Sequence, residues 1–389
     1  MTIQTSLNFS FETTPRVISE TGGALKLGAL AKDLGASRVL VITDPGLVKA
    51  GLLDAPMQAL ADAGLTAALY SDVQADPPEA SVDAAVQAAR DAGAEAVIGF
   101  GGGSSLDTAK LVALLVGAPQ SLPDIYGIGL AKGPRLPLIQ VPTTAGTGSE
   151  VTPISIVTTP THEKKGVVSP LLYPDIALLD AELTLGLPPA VTAMTGIDAM
   201  VHAIEAYTSR HKKNALSDGL ALKALHLLAT NMDRVIADGR DLAARAAMLQ
   251  GSMLAGMAFA NAPVAAVHAL AYPLGGHFHV PHGLSNALVL APVLAFNRDA
   301  AEAQYAELAA VVLPGRRFAS QADACDAFIA EMTAMVHRMP FAQTLRAVGV
   351  AESDLDRLAA DAMKVERLLI NNPRPVTLAD ARAIYASVL

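Results

Sequence analysis

The chain has no tryptophan, a single cysteine, and only 4% aromatic residues among its 389. One cysteine, Cys325, can form neither an intrachain disulfide nor a thiolate metal cluster, which excludes a disulfide-stapled scaffold and fits a reducing cytoplasm. Cys325 itself reads as a small buried hydrophobe. Runs of like charge are missing too. Only 17% of residues are charged, the net charge is −9, and no basic stretch offers a surface to nucleic acid or to an anionic membrane. The N-terminal stretch Met1–Val17 lacks the charged and apolar regions of a signal peptide, so none is expected there. One segment without formal charge, Met253 to Phe278, has the length of a membrane span. Asn261, Pro263, His268, Pro273 and Gly275-Gly276 interrupt it, which indicates buried helices inside a protein.

What the chain does have is alanine and leucine, the leading helix formers, in a length that suits two or three domains. The first half alternates short apolar runs with amphipathic stretches. Strands are expected at Arg38–Thr43, Ala67–Tyr70, Ala96–Phe100 and Leu136–Val141, with helices at Leu52–Ala63, Ser81–Ala92 and Leu106–Val116. Such alternation implies βαβ units and a parallel sheet covered on both faces. Ile154–Thr158 and Ile176–Asp180 are expected to add further strands. The pattern changes near Leu185-Gly-Leu-Pro-Pro189, after which long Ala/Leu-rich segments follow at about 190–208, 215–236, 241–260 and 300–312, with more near the C-terminus. The expected organisation is an α/β domain over 1–187 and an all-α domain over 188–389.

Gly101-Gly102-Gly103-Ser104-Ser105 directly follows an expected strand and precedes an expected helix. Glycines allow close backbone approach, and the first N–H groups and dipole of the following helix favour an anion such as a pyrophosphate. A tight turn is the simpler reading of this one feature, which is not the G-x-G-x-x-G fingerprint. A second loop, Pro142 to Pro153, is rich in small hydroxyl residues and glycine and also follows an expected strand. Two such loops match the rule that ligands bind beyond the carboxyl ends of parallel strands. Asp44 closes the Val39–Thr43 strand. It could accept hydrogen bonds from an adenosine ribose and repel a 2′-phosphate, or it could simply cap the next helix.

Asp198 and His202, four residues apart in an apolar stretch, share one face of a helix and could share an ion; hydrogen bonding to each other is the plainer alternative. The segment His268 to Gly283 holds four of the nine histidines: His268, His277, His279 and His282. His282, between Pro281 and Gly283, is expected in a rigid turn. A carboxylate with three imidazoles suits Fe²⁺ or Zn²⁺. Spacing leaves His277 and His279 open as competing ligands.

Together these segments resemble the iron-containing alcohol dehydrogenase family. The resemblance is carried by Gly101–Ser104 with Asp107 and Lys110, Pro142–Thr147 with Glu150, Gly196–Ala199 with His202–Glu205, His268–Gly283 and Asn372-Pro-Arg, in order along nearly the whole chain. It implies a dehydroquinate synthase-like fold: a dinucleotide-binding α/β domain, a helical metal-binding domain and a site in the cleft between. It implies Asp198, His202, His268 and His282 as metal ligands, and cofactor contacts at Asp44, Asp76, Gly101–Ser105, Thr143, Thr144, Thr147, Ile156 and Lys165. Phe259 corresponds to a pocket wall. Tyr272 replaces the second histidine that many members carry four residues after the third ligand, and Leu368 stands where some have a cysteine. The implied activity is reversible hydride transfer between a small primary or secondary alcohol and NAD, assisted by Fe²⁺ or Zn²⁺, in a cytoplasmic homodimer or larger homo-oligomer. His277 is a candidate proton exit. Maleylacetate reductase, glycerol dehydrogenase and hydroxyacid–oxoacid transhydrogenase are alternatives on the same fold; a catalytically silent nucleotide-binding protein is the non-enzyme alternative.

Overall fold

A computed structural model of the protein describes residues 7–161 and 163–389. The chain forms two compact units, residues 12–186 and residues 187–389, the second also taking in the segment that ends at Phe11.

The first unit contains β1 (Arg16–Ser19), α1 (Leu27–Asp33), β2 (Arg38–Ile42), α2 (Pro45–Lys49), α3 (Asp54–Asp62), β3 (Thr66–Tyr70), α4 (Glu79–Asp91), β4 (Ala96–Gly101), α5 (Gly103–Leu115), β5 (Gly127–Ile128), β6 (Leu138–Pro142), β7 (Ile154–Thr158), β8 (Lys164–Val168) and β9 (Ile176–Leu179). Six strands pair in parallel in the order β1-β9-β6-β4-β2-β3. Successive side chains of a strand point to opposite faces. Accordingly Leu40, Ile42 and Val97 pack with Val82, Val86 and Leu111 of α4 and α5. Val39, Val41, Ile98 and Phe100 pack on the other side with Leu27, Leu30 and Leu60 of α1 and α3. Burial on both faces is why these strands read as unbroken apolar runs. From β2 the chain steps outward to β3, then returns across β2 to lay down β4. That reversal places a ligand crevice beyond the carboxyl ends of β2 and β4.

Of the two further expected strands, β9 joins this sheet, but β7 does not. It forms an antiparallel hairpin with β8, which also pairs with β5. β8 reads Lys164-Lys-Gly-Val-Val168, so hydrophobic patterning gives it no signal. Helix α5 starts at Gly103, three residues before the expected Leu106. The second half of the glycine-rich loop is thus the first helical turn.

The second unit is helical: α6 (Pro189–Thr208), α7 (Ala215–Ala237), α8 (Leu242–Asn261), α9 (Ala266–Phe278), α10 (His282–Asn297), α11 (Glu302–Val312), α12 (Gln321–His337), α13 (Leu355–Met363), α14 (Glu366–Leu369) and α15 (Leu378–Ser387). Among the described residues no strand follows β9. Pro189 opens α6, where its missing N–H is harmless. Every residue of α6 from Gly196 to Thr208 is buried, the mark of a central helix. Helices α7, α8 and α10 pack around it. The long uncharged segment resolves into α8 and α9, bent by 105° against each other, and among the described residues no single helix is long and apolar enough to cross a membrane. His282 does not lie in a turn. It is the first residue of α10, with Pro281 as its N-cap, because proline before a helix sets the entry direction without ending it.

Candidate metal centre and cofactor cradle

The centre starts on α6. Asp198 and His202 stand one turn apart on the same face, and α9 brings His268 and α10 brings His282 to them. One ligand atom from each of these four residues lies within 4.8 Å of every other. Asp198 Oδ1 is 3.8 Å from His268 Nε2 and 3.5 Å from His282 Nε2. Asp198, His202 and His268 are buried and His282 is half-buried. Burial works to raise the Asp198 carboxyl, but the three imidazoles and Asn286 outweigh it and hold the group below its ordinary value. Four converging lone-pair donors on a buried carboxylate and imidazoles fit a tetrahedral divalent ion.

The rings are held by stacking. Phe259 lies 4.3 Å from His202, centroid to centroid, at 21°, and His202 lies 4.7 Å from His268 at 22°. Tyr272, also on α9, has its ring centroid 6.2 Å from that of His282. The competing histidines stand outside this group. His277 Nε2 meets Asp361 Oδ2 of α13 at 2.6 Å, and His279 ends α9 in the left-handed conformation, φ 53°. That reversal of chain direction separates 277 and 279 from 282.

Two residues of the centre received no role from the sequence. Glu205 follows Asp198 and His202 on the same helical face, at positions i, i+4 and i+7. Its Oε2 is 2.7 Å from His268 Nδ1 and accepts from Ala265 N at 2.9 Å, while Oε1 accepts from Val267 N at 2.7 Å. A carboxylate only accepts, so His268 Nδ1 carries the proton and Nε2 presents its lone pair to the centre. Asn286, one turn after His282, is the second. The spacing of Glu205 was a usable signal; Asn286 sits in an ordinary apolar helix sequence and gave none. At Gly283 helix α10 crosses α6 backbone to backbone: a Cβ there would lie 2.4 Å from the Met194 carbonyl oxygen.

In the α/β unit, Asp44, Pro45, Val73, Gln74, Ala75 and Gly102–Ser105 line a cavity of about 510 Å³. It lies at the carboxyl ends of β2 and β4. Asp44 caps α2: its Oδ1 accepts from Gly46 N at 2.9 Å and Leu47 N at 3.1 Å. The capping alternative therefore holds, and the same side chain lines the cavity. Gly102 is the N-cap of α5, whose first-turn N–H groups have no intrahelical acceptors. Gly103 leaves room for Thr147, whose Cγ2 would lie 2.8 Å from a Cβ placed there. Thr143 N donates to Gly101 O at 3.0 Å, and Thr144 lies beside Gly102.

The hairpin closes onto this loop. Asp76, at φ 51°, donates its N–H to Ser104 Oγ at 3.3 Å, and its carboxylate pairs with Lys164 at 2.5 Å. Lys165, the residue expected near the cofactor, points the other way along β8, is 47% exposed and pairs with Glu163 at 3.8 Å. Ile156 N donates to Asp107 Oδ2 at 2.9 Å, and Ser149 Oγ donates to Asp107 Oδ1 at 2.5 Å. Lys110 is wholly buried and donates to Thr152 Oγ1 at 3.1 Å and Ile154 O at 2.8 Å. Burial pushes its ammonium down to about 8 against the pull of Asp107 and Glu150, and pushes the Glu150 carboxyl up to about 7. This buried set ties α5 to the Ser149–Ile156 segment.

Comparison with known proteins agrees with this geometry. Residues 14–181 match the family model described as iron-containing alcohol dehydrogenase, and residues 192–389 match that of the Fe-containing alcohol dehydrogenase family, C-terminal. The chain is 43% identical over 357 residues to long-chain-alcohol dehydrogenase 1 of Geobacillus thermodenitrificans, covering 91% of this chain and 90% of that one. It is similar to the crystal structure of 1,3-propanediol oxidoreductase with a TM-score of 0.94 and 32% identity, over 98% of this chain and 100% of that one. It is also similar to sulfoacetaldehyde reductase from Bifidobacterium kashiwanohense in complex with NAD+, with a TM-score of 0.88 and 27% identity, over 98% and 99% of the two chains.

Proposed function

The chain belongs to the iron-containing alcohol dehydrogenase family, and from that membership we propose which of its residues carry the family's chemistry and on what substrates. It is a metal-containing oxidoreductase that interconverts alcohols and aldehydes with NAD. The reading of a silent nucleotide-binding protein is set aside. Asp198, His202, His268 and His282 would hold the metal, and the observation that carries this is the mutual approach of their donor atoms within 4.8 Å. When bound, Fe²⁺ supplies a Lewis acid that lowers the pKa of the alcohol oxygen, and NAD supplies the hydride acceptor. The chain's own residues do the rest. Glu205 keeps His268 in the tautomer that turns Nε2 inward. The Phe259 ring covers one face of His202 and keeps water from it. Tyr272 walls the space beside His282. Asp44 and the Gly101–Ser105 turn would hold NAD, with Asp76, Thr143, Thr144, Thr147 and Ile156 around them, and the N-terminus of α5 facing the pyrophosphate.

The substrate class we favour is a small primary or secondary alcohol or the matching aldehyde or ketone. The long-chain-alcohol relative makes chain length the variable to measure. The deciding experiment is a panel of alcohols and aldehydes of increasing length with NAD(H) and NADP(H) on Fe²⁺- or Zn²⁺-reconstituted protein. No turnover with any alcohol or aldehyde would sink the reading. The lone buried Cys325 supports a cytoplasmic enzyme, and a homodimer or larger assembly is the form we propose.

Two substitutions test the assignments. Asp44→Ser keeps an N-cap, so α2 should stay intact. It removes a charge worth about 1 to 4 kcal/mol against a 2′-phosphate at 4 Å, so use of NADP relative to NAD should improve tenfold or more. Wild-type preference for NADP would refute the role. Tyr272→Phe keeps the ring beside His282 and removes only its hydroxyl. Turnover should change by less than about tenfold, under ~1.4 kcal/mol in barrier. Tyr272→Ala should widen the pocket and favour bulkier alcohols. A loss of several orders of magnitude in Tyr272→Phe, with metal retained, would mean that the hydroxyl takes part in the chemistry.

A further inference from the structure

We propose that Asn286 is a positioning residue for the metal, acting through Asp198; the inference rests on the ligand set proposed above. Asn286 stands one turn after His282 on α10, so the two side chains leave the same helical face. It is fully enclosed. Its Nδ2 donates to Asp198 Oδ1 at 2.5 Å and lies 3.3 Å from Nε2 of both His268 and His282. One amide nitrogen thereby touches donor atoms from α6, α9 and α10.

The oxygen it grips is the one that matters. Asp198 Oδ1 is the carboxylate atom that faces both imidazole nitrogens, at 3.5 and 3.8 Å. A hydrogen bond to that atom fixes which oxygen points inward and in what direction. An amide NH₂ can only donate, so it cannot compete with the donors for the ion. With the His268 Nδ1 proton committed to Glu205, the group has two such fixings: Glu205 orients an imidazole and Asn286 orients the carboxylate.

The other end of the amide argues against a packing role. Asn286 Oδ1 is buried and has no hydrogen-bond partner among the described residues. Leucine has nearly the same shape and no unpaired acceptor of its own, so packing does not call for asparagine here, although removing its N–H takes a donor from the buried Asp198 Oδ1. What leucine lacks is the N–H aimed at Asp198.

The test follows from that contrast. Full-length Asn286→Leu, stripped of metal with chelator, is titrated with Zn²⁺ in competition with a chromophoric chelator. Its affinity should fall about 10- to 100-fold. The stripped variant should melt modestly below stripped wild type, because Asp198 Oδ1 loses one donor, while its helical circular dichroism matches wild type and NADH binding is unchanged. A Zn²⁺ affinity loss smaller than about fivefold overturns the inference. So does a loss accompanied by weakened helical circular dichroism of the stripped protein, which marks a scaffold defect. Should Asn286→Leu not fold, Asn286→Ala is read on Zn²⁺ affinity alone in protein with wild-type helical circular dichroism, with the same fivefold boundary. Wild type that fails to bind Zn²⁺ would instead sink the ligand set itself.

Discussion

Asp198→Ala and His268→Ala should each lose bound metal and turnover together while the chain stays folded. Asp198 is the one anionic donor in the proposed set, and His268 is the buried donor that Glu205 of α6 holds. Removing either leaves three donors, none of them replaceable by a neighbour, because His277 and His279 are turned away at the end of α9. Lewis-acid stabilisation is worth several kcal/mol, and about 4 kcal/mol corresponds to a thousandfold in rate, so the loss should be at least of that order. NADH binding should persist, since Asp44 and the Gly101–Ser105 turn belong to the other unit. Elemental analysis and an NADH titration on the same sample give the answer. Full metal occupancy in either variant would defeat the assignment.

Glu205→Ala should be the most damaging substitution of a residue that touches no substrate. The carboxylate serves three buried donors: the backbone N–H groups of Ala265 and Val267 and the Nδ1–H of His268. Each stranded donor costs about 1 to 3 kcal/mol, so the expected destabilisation is about 3 kcal/mol or more. For a unit of this size that is roughly a 10 °C fall in melting temperature. Metal affinity should fall about 10- to 100-fold besides, because His268 loses the bond that orients it. Glu205→Gln keeps one acceptor oxygen and should fall between. A melting temperature within about 2 °C of wild type, with full metal occupancy, would show that Glu205 has no such part.

Much of this was legible beforehand, for physical reasons. Strands such as β2, from Val39 to Ile42, and Ala96–Gly101 are buried on both faces, so those stretches lack polar side chains and announce themselves. Helical spacing puts Asp198 and His202 on one face, and it was the family resemblance that singled them out as ligands. What failed to show was whatever depends on the chain's path. β8 opens with two lysines and pairs through its backbone, and pairing of that kind leaves no hydrophobic trace. His282, between proline and glycine, was expected in a turn, yet it opens a helix that meets the preceding one at a left-handed His279, and that corner separates His282 from its rivals. Lys164 and Lys165 are indistinguishable as letters; only the strand's alternation sends one to Asp76 and the other to solvent. Asn286 was invisible because an amide in an apolar helix declares nothing until its neighbours are known.

The closeness of α10 to α6 sets a mechanical tolerance on the centre. Gly283 lets the two backbones touch, with a would-be Cβ 2.4 Å from the Met194 carbonyl oxygen, where ordinary contact begins at 3.4 Å. Any side chain at 283 would push the helices apart by something on the order of 1 Å, while metal–ligand distances hold to about ±0.2 Å. His282, the neighbouring residue, rides on the displaced helix, and Asp198 lies one turn beyond Met194 on the other. The fineness of the proposed coordination sphere is therefore borrowed from a missing side chain. A larger residue there would spoil the fit of the ion well before it spoiled the fold, so drift at this position would first surface as an enzyme that is intact, soluble to handle and poorly metallated.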